Sequence, residues 1–344
     1  LVSLSFLGTR FYLTNLEEIP VAGGEYVEGL IGNQPQNINP LYARTDIDSD
    51  LSFLVYSSLF KRGVNGEINK DLVDDFFVSP DNKIYEVKIR NGVKWHDGTD
   101  LTINDVIFTF NSIQDPQYKS PLRQSFGGTS IEAVDEQTIR FLLAEPYAAF
   151  FYLLTFGILP SHIWVEYLPE NASLVKWNLE PIGSGPFLIK SRIQDSEGNI
   201  KEYYLVKNEA YYEKVPFIDL RLRFYKTFDE AVAELNNKTL DGISYLPGDY
   251  QEMLTTPKSL KFNKILFPQI TLIFLNQKLN PALEQKEVRQ ALAYAIDKRA
   301  IVNDILNNDA SIVDSPILAN SFAYNEEIKK YYQDISKSKD LLDE

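Results

Sequence analysis

The chain has no cysteine and only two histidines among 344 residues. Without thiols there is no disulfide, no thiolate zinc site and no cysteine nucleophile, although exported bacterial proteins also do without disulfides, so the compartment stays open. His96 and His162 stand far apart in dissimilar contexts, too few for a metal site, and both read as structural. No Gly-x-Ser-x-Gly elbow is present, which with the missing cysteine leaves a hydrolase without an activated nucleophile. The glycine-rich PIGSGPF at 181–187 lacks the lysine and the helix of a phosphate-binding loop. Cations are also in short supply: 34 Lys and Arg against 48 Asp and Glu give a net charge of −14. That excludes nucleic acid, which requires clustered basic side chains, and disfavours an anionic membrane surface. The apolar opening LVSLSFL at 1–7 is far shorter than the roughly 20 residues of a membrane span. It reads as the tail of a signal or anchor segment, or as a strand.

What is present is ordinary in bulk. Hydrophobic residues make up 44% and charged residues 24%, values of a folded globular chain long enough for two or three domain-sized units. The aromatic share of 13% suits a large core, or a cleft lined with rings. The most informative stretch is 83–113. Tyr85, Val87 and Ile89 alternate with charged residues as a half-buried strand does, and Asn91-Gly92 favours a hairpin turn into a second short strand holding Val93 and Trp95. Asp97-Gly98 makes another turn. Thr102 and Asp105 then form a capping box, and Ile103, Val106, Ile107 and Phe110 fall on one helical face.

The order Ile89-Arg90, Gly92, Trp95, Asp97-Gly98, Thr102 and Asp105-Val106 resembles the signature of the extracellular solute-binding proteins of ABC importers, the class carrying oligopeptides, dipeptides and nickel. Other segments agree in sequence order. Gly23-Gly24 and Asn39-Pro40 resemble the family's opening strand and turn, PIGSGPF its Gly-Thr-Gly-Pro-aromatic segment, and NEAYY at 208–212 its Asn-x-x-Tyr-Tyr. A fifth match runs through Val288-Arg289, Ala291-Leu292 and Ala295-Ile296-Asp297-Lys298, and a last one along the helical tail from Tyr331.

Local signals supply further expectations. Asp48 to Phe60 reads as a buried helix capped by Asp48 or Ser49. Two strands flank the Asp135-Glu136 turn, and Thr227 with Glu230 opens a helix between strands at 215–225 and 242–246, a crossover of an α/β lobe. Thr271 to Asn276 reads as a strand. The helix after it puts Val288, Ala291, Leu292, Ala295 and Ile296 on one face, with Arg289 solvated or salt-bridged.

The resemblance implies an α/β, two-lobed fold of the periplasmic-binding-protein kind (type II) with an extra inserted subdomain. It places an N-terminal extension or anchor-proximal segment at 1–21, the core of lobe I at 22–45 and 180–275, the inserted subdomain at 46–179, and the start of an incomplete lobe II at 276–344. It also implies a receptor that captures peptides in an interlobe cleft on the outer side of the cell membrane, as a monomer without cofactor or catalysis, and hands them to a membrane permease. Peptide sensing or docking on the same fold, and binding of nickel or another solute, are the alternatives. By the same resemblance the loop before Asn39-Pro40 and the strand Thr271 to Asn276, which crosses from the first lobe to the second, face the cleft, with Asn33, Gln34, Asn37, Gln269, Thr271 and Asn276 as contacts.

Overall fold

The computed structural model describes residues 22–64, 66–255, 257–263, 269–319, 321 and 323–343. The segment read as an N-terminal extension, 1–21, lies outside the described residues. The described chain falls into two compact units, 22–246 with 253–255, and 247–252 with 257–343.

The first unit opens with β1 (Glu25–Ile31) and helix α1 (Asp46–Val55), followed by β2 (Phe60–Arg62), β3 (Ile68–Lys70), β4 (Val73–Val78) and β5 (Ile84–Ile89). Helix α2 (Ile103–Gln114) leads to β6 (Thr129–Ala133) and β7 (Thr138–Leu143). After a stretch of short helical turns come β8 (Phe187–Gln194), β9 (Ile200–Lys207), β10 (Asp219–Tyr225), helix α3 (Phe228–Asn236) and β11 (Gly242–Ile243). One sheet has the order β11-β1-β10-β9-β8, with β1 parallel to both of its neighbours. The chain therefore passes from β10 through α3 to β11 across β1, the crossover expected of an α/β lobe. A second sheet, β4-β5-β7-β6, is antiparallel throughout and belongs to the segment between α1 and β8.

One apolar core joins the two sheets. Tyr85, Val87 and Ile89 of β5 are buried as their alternation predicts, against Ile139 and Phe141 of β7. Phe110 of α2 meets Phe126 and Phe141 edge to face at 5.1 and 5.3 Å. Burying rings of this size contributes about 2–3 kcal/mol each. Helix α2 starts where the capping box places it, with the Thr102 N–H donating to Asp105 at 2.8 Å.

Three local expectations give way. The chain turns at Asn91-Gly92, but β5 has both edges occupied by β4 and β7, so residues 93–101 close on themselves through Trp95 N–H to Thr99 O (2.8 Å) and Leu101 N–H to Val93 O (2.9 Å). Helix α1 is capped by Thr45 rather than Asp48 or Ser49, because the Asp48 carboxylate instead accepts the backbone N–H groups of Gln36 and Asn37 at 2.8 and 3.1 Å. The helix also ends at Val55, whose carbonyl receives the Gly185 N–H at 2.8 Å.

In the second unit, helix α4 (Lys286–Ala295) packs on helix α5 (Ile335–Asp343). Ala291 and Tyr294 are its buried residues, while Leu292 stays 42% exposed, so the inward face is rotated from the one expected. Ser338 donates to the Ala291 carbonyl at 2.8 Å, and Tyr331 meets Tyr294 edge to face. Arg289 donates to the carbonyls of Leu283 and Glu284, closing the turn before α4. Residues 271–276 form no strand: Leu272, Ile273 and Phe274 are exposed, and no strand among the described residues pairs with them.

Candidate functional site

Three of the segments that stand out in the sequence, the turn at 95–98, the glycine segment at 181–187 and NEAYY at 208–212, meet at one buried junction in the first unit. Gly183 and Gly185 lie against the end of α1, where a Cβ on either would overlap the Val55 carbonyl. His96 bridges the same turn: its Nδ1 accepts the Gly183 N–H at 3.2 Å, so its Nε2 carries the proton and donates to the Gly185 carbonyl at 3.1 Å. Burial drives this imidazole down to about 4, against the opposing pull of the Gly185 carbonyl. Asn208 Nδ2 donates to the same carbonyl at 3.0 Å, and Ser57 donates to Ser184 O. Alongside, buried Asp71 accepts from the Ser58 N–H at 2.9 Å and the Tyr212 hydroxyl at 2.6 Å, and pairs with Lys61 at 3.3 Å. Desolvation and the Asp71 charge push the Tyr212 phenol far up, fixing it as a donor. His162 contacts Asp97 at 2.8 Å; burial acts to raise that carboxylate, but hydrogen bonds from His162 and Thr99 hold it below its ordinary range. Each of these groups has a protein partner, the Ser58 hydroxyl included, which lies 3.3 Å from the Asp71 carboxylate. The junction is a scaffold that ties α1, the turn at 95–98 and the glycine segment together.

The six residues expected at the ligand divide between the units. In the first, Asn33 is exposed on the loop after β1. Gln34 turns to β9, where its amide meets Asn199 at 3.2 Å and the Ile200 N–H at 2.5 Å. Asn37 accepts from the Asn39 N–H at 3.2 Å while its own N–H is held by Asp48. Gln34 and Asn37 thus shape the loop. In the second unit, Gln269 and Thr271 are exposed, and Asn276 accepts from the N–H groups of Lys278 and Leu279, closing a turn.

A concavity of the first unit lies elsewhere, in a cleft of about 360 Å³ beside α1 that none of the first three residues lines. Phe53 and Tyr56 of α1 and its C-terminal flank form one wall, and Tyr152 with Phe156 another. Ser49, Ser52, Ser125 and Thr155 supply hydroxyls, and Arg62, at the end of β2, supplies a positive charge. Phe53 is 61% exposed, and its ring is available to a ligand. Tyr56 is 4% exposed, and its hydroxyl has no hydrogen-bond partner among the described residues. Volume, aromatic walls and a few convergent polar groups are the ordinary makings of a binding site. The sequence signal for it was Phe53 itself: Ile47, Leu51 and Val55 define the buried face of α1, and an aromatic off that face has no core to serve. Reading 48–60 as uniformly buried hid it.

Comparison with known proteins adds identity to this geometry. The model of a family described as bacterial extracellular solute-binding proteins, family 5 (middle part), matches residues 67–344. The oligopeptide-binding protein AppA of Bacillus subtilis is 31% identical over 337 residues, covering 94% of this chain and 60% of AppA. The crystal structure of the ABC transporter substrate-binding protein CtaP of Listeria monocytogenes superposes with a TM-score of 0.81 at 30% identity, over 94% of this chain and 65% of that one. AppA of B. subtilis in complex with a nonapeptide gives 0.73 at 28% identity, over 94% and 64%. The chain therefore spans about three-fifths of the length of curated relatives such as AppA. The fold class expected from the sequence, α/β of the periplasmic-binding-protein kind, is that of these structures.

Proposed function

Because the chain belongs to the bacterial extracellular solute-binding proteins of family 5, we propose that it serves as the solute-binding receptor of an ABC importer and captures short peptides. The family match over 67–344 carries this reading, and the peptide held by AppA gives the solute class. An extended peptide offers free N–H and C=O groups for backbone pairing, while its side chains occupy roomy, hydrated pockets. The cleft beside α1, with hydroxyls interleaved among rings, suits one such side chain. Capture requires that the closed receptor hold the peptide better than the open one. The ligand then passes to a membrane permease, so the protein works outside the cytoplasm, as a monomer without cofactor, and leaves its peptide uncleaved. Among the described residues no helix is long and apolar enough to cross a membrane.

Uptake tests the role. A strain lacking the gene is expected to lose uptake of labelled di- to nonapeptides and to regain it with the gene restored. Unchanged uptake, with binding intact, would point instead to a sensor or docking protein on the same fold.

A further inference from the structure

The cleft beside α1 runs against the charge of the molecule. The chain carries 48 acidic residues against 34 basic ones, yet among the described residues no Asp or Glu lines this cleft, and Arg62 is its one formal charge. That side chain makes no ion pair among the described residues; its guanidinium lies 5.9 Å from the centre of the Tyr152 ring, which orients it without neutralising it. An arginine held over a ring offers a planar fork of donors matched to a carboxylate. The surrounding groups are Phe53, Phe156 and the Ser49, Ser52 and Thr155 hydroxyls, which accommodate apolar or neutral polar atoms, whereas a cation there would meet the like charge of Arg62 with no carboxylate to offset it.

We propose that Arg62 sets a charge preference in the ligand cleft: the peptide presents a carboxylate to it, beside an aromatic or aliphatic side chain against Phe53 and Phe156, and a basic residue is rejected there. This rests on the reading of the protein as a peptide receptor. The carboxylate comes either from a Glu or Asp side chain or from the free end of the peptide. Because Arg62 is solvent-exposed, the gain is that of a partly screened pair, about fivefold in affinity.

Calorimetric titration with Phe-X-Phe peptides, X being Glu, Gln or Lys, each as free acid and as C-terminal amide, tests the proposal. Amides with Glu are expected to bind about fivefold tighter than those with Gln, and Lys weaker than both, if the side chain is the partner. If the chain end is the partner, amidation weakens every peptide by a similar factor. In Arg62→Gln the preference disappears, and a circular dichroism spectrum and an unfolding midpoint matching those of the parent show that the variant folds. Arg62→Glu reverses the order of Glu and Lys. Binding without charge dependence, or a charge dependence that persists in Arg62→Gln, overturns the role of Arg62 and leaves the receptor reading standing. Failure of every peptide to bind overturns both.

Discussion

The imidazole of His96 is clamped within the turn that Gly183 begins, its Nδ1 taking the Gly183 N–H at 3.2 Å while the His96 backbone N–H donates to the Gly183 carbonyl at 2.8 Å. With Nε2 donating to Gly185, the ring is used on both edges and only in its neutral form. Two stretches prominent in the sequence for different reasons, the Trp-His-Asp turn and the glycine segment, are thus halves of one structural joint.

Stability should fall with pH at this joint. The folded state holds His96 at about 4 and the unfolded chain at its ordinary 6.5, so between these values the unfolded state binds the extra proton. Stability is level above 6.5 on this account, falls as pH drops, and has lost about 3 kcal/mol near pH 4. Urea unfolding at a series of pH values measures it. His96→Asn, which keeps an acceptor near Gly183 but cannot be protonated, should flatten the profile in that window; an identical slope in the variant would assign the loss to other groups.

Gly183→Ala should be costly although the residue needs no unusual backbone angle. The added methyl meets the Val55 carbonyl, which is main chain and unable to swing aside, so a loss of about 2 kcal/mol or more is expected in the urea midpoint. Gly198→Ala places a methyl in open space, but at φ +86 it tests strain rather than overlap and should cost about 1 kcal/mol.

Asp71 is the acceptor on which four donors of three residues converge: the Ser58 N–H and hydroxyl, the Lys61 ammonium and the Tyr212 hydroxyl. Replacing it by Ala leaves the Ser58 N–H and the Tyr212 hydroxyl without their partner and should cost about 3–5 kcal/mol, whereas Tyr212→Phe removes one donor and should cost about 1–2 kcal/mol. Equal losses in thermal unfolding would show that Tyr212 alone accounts for the effect.

Tyr56 makes the opposite case. Its hydroxyl is buried without a partner among the described residues, so Tyr56→Phe should leave stability unchanged or raise it by up to about 1 kcal/mol. A loss above that in thermal unfolding would show a hydrogen bond to ordered water or ligand.

What the sequence made legible was local. The alternation of Tyr85, Val87 and Ile89, the Thr102–Asp105 box and the Asp135-Glu136 turn each act over a few residues, and each appears where expected. β4 was missed because Phe76 and Phe77 are adjacent and both partly exposed, so VDDFFV carries no period of two. The cap of α1 was misplaced because a long-range pull on Asp48 from Gln36 and Asn37 outweighs its local capping preference. The strand at 271–276 was read from β-branched and aromatic content alone, but a strand needs a neighbour, and none pairs with it among the described residues. Of the cleft only Phe53, an aromatic off the buried face of α1, carried a signal; Arg62 and Tyr152 come from two further elements, and only the fold gathers them.

The receptor reading is tested most directly by thermal unfolding of the purified protein in the presence of a mixture of short peptides. Ligand at 100 times its dissociation constant adds about 2.7 kcal/mol to the folded state, so a clear rise in Tm is expected with peptides and none with sugars or nickel. No shift with any peptide, together with stabilisation by a sugar or a metal ion, would contradict it.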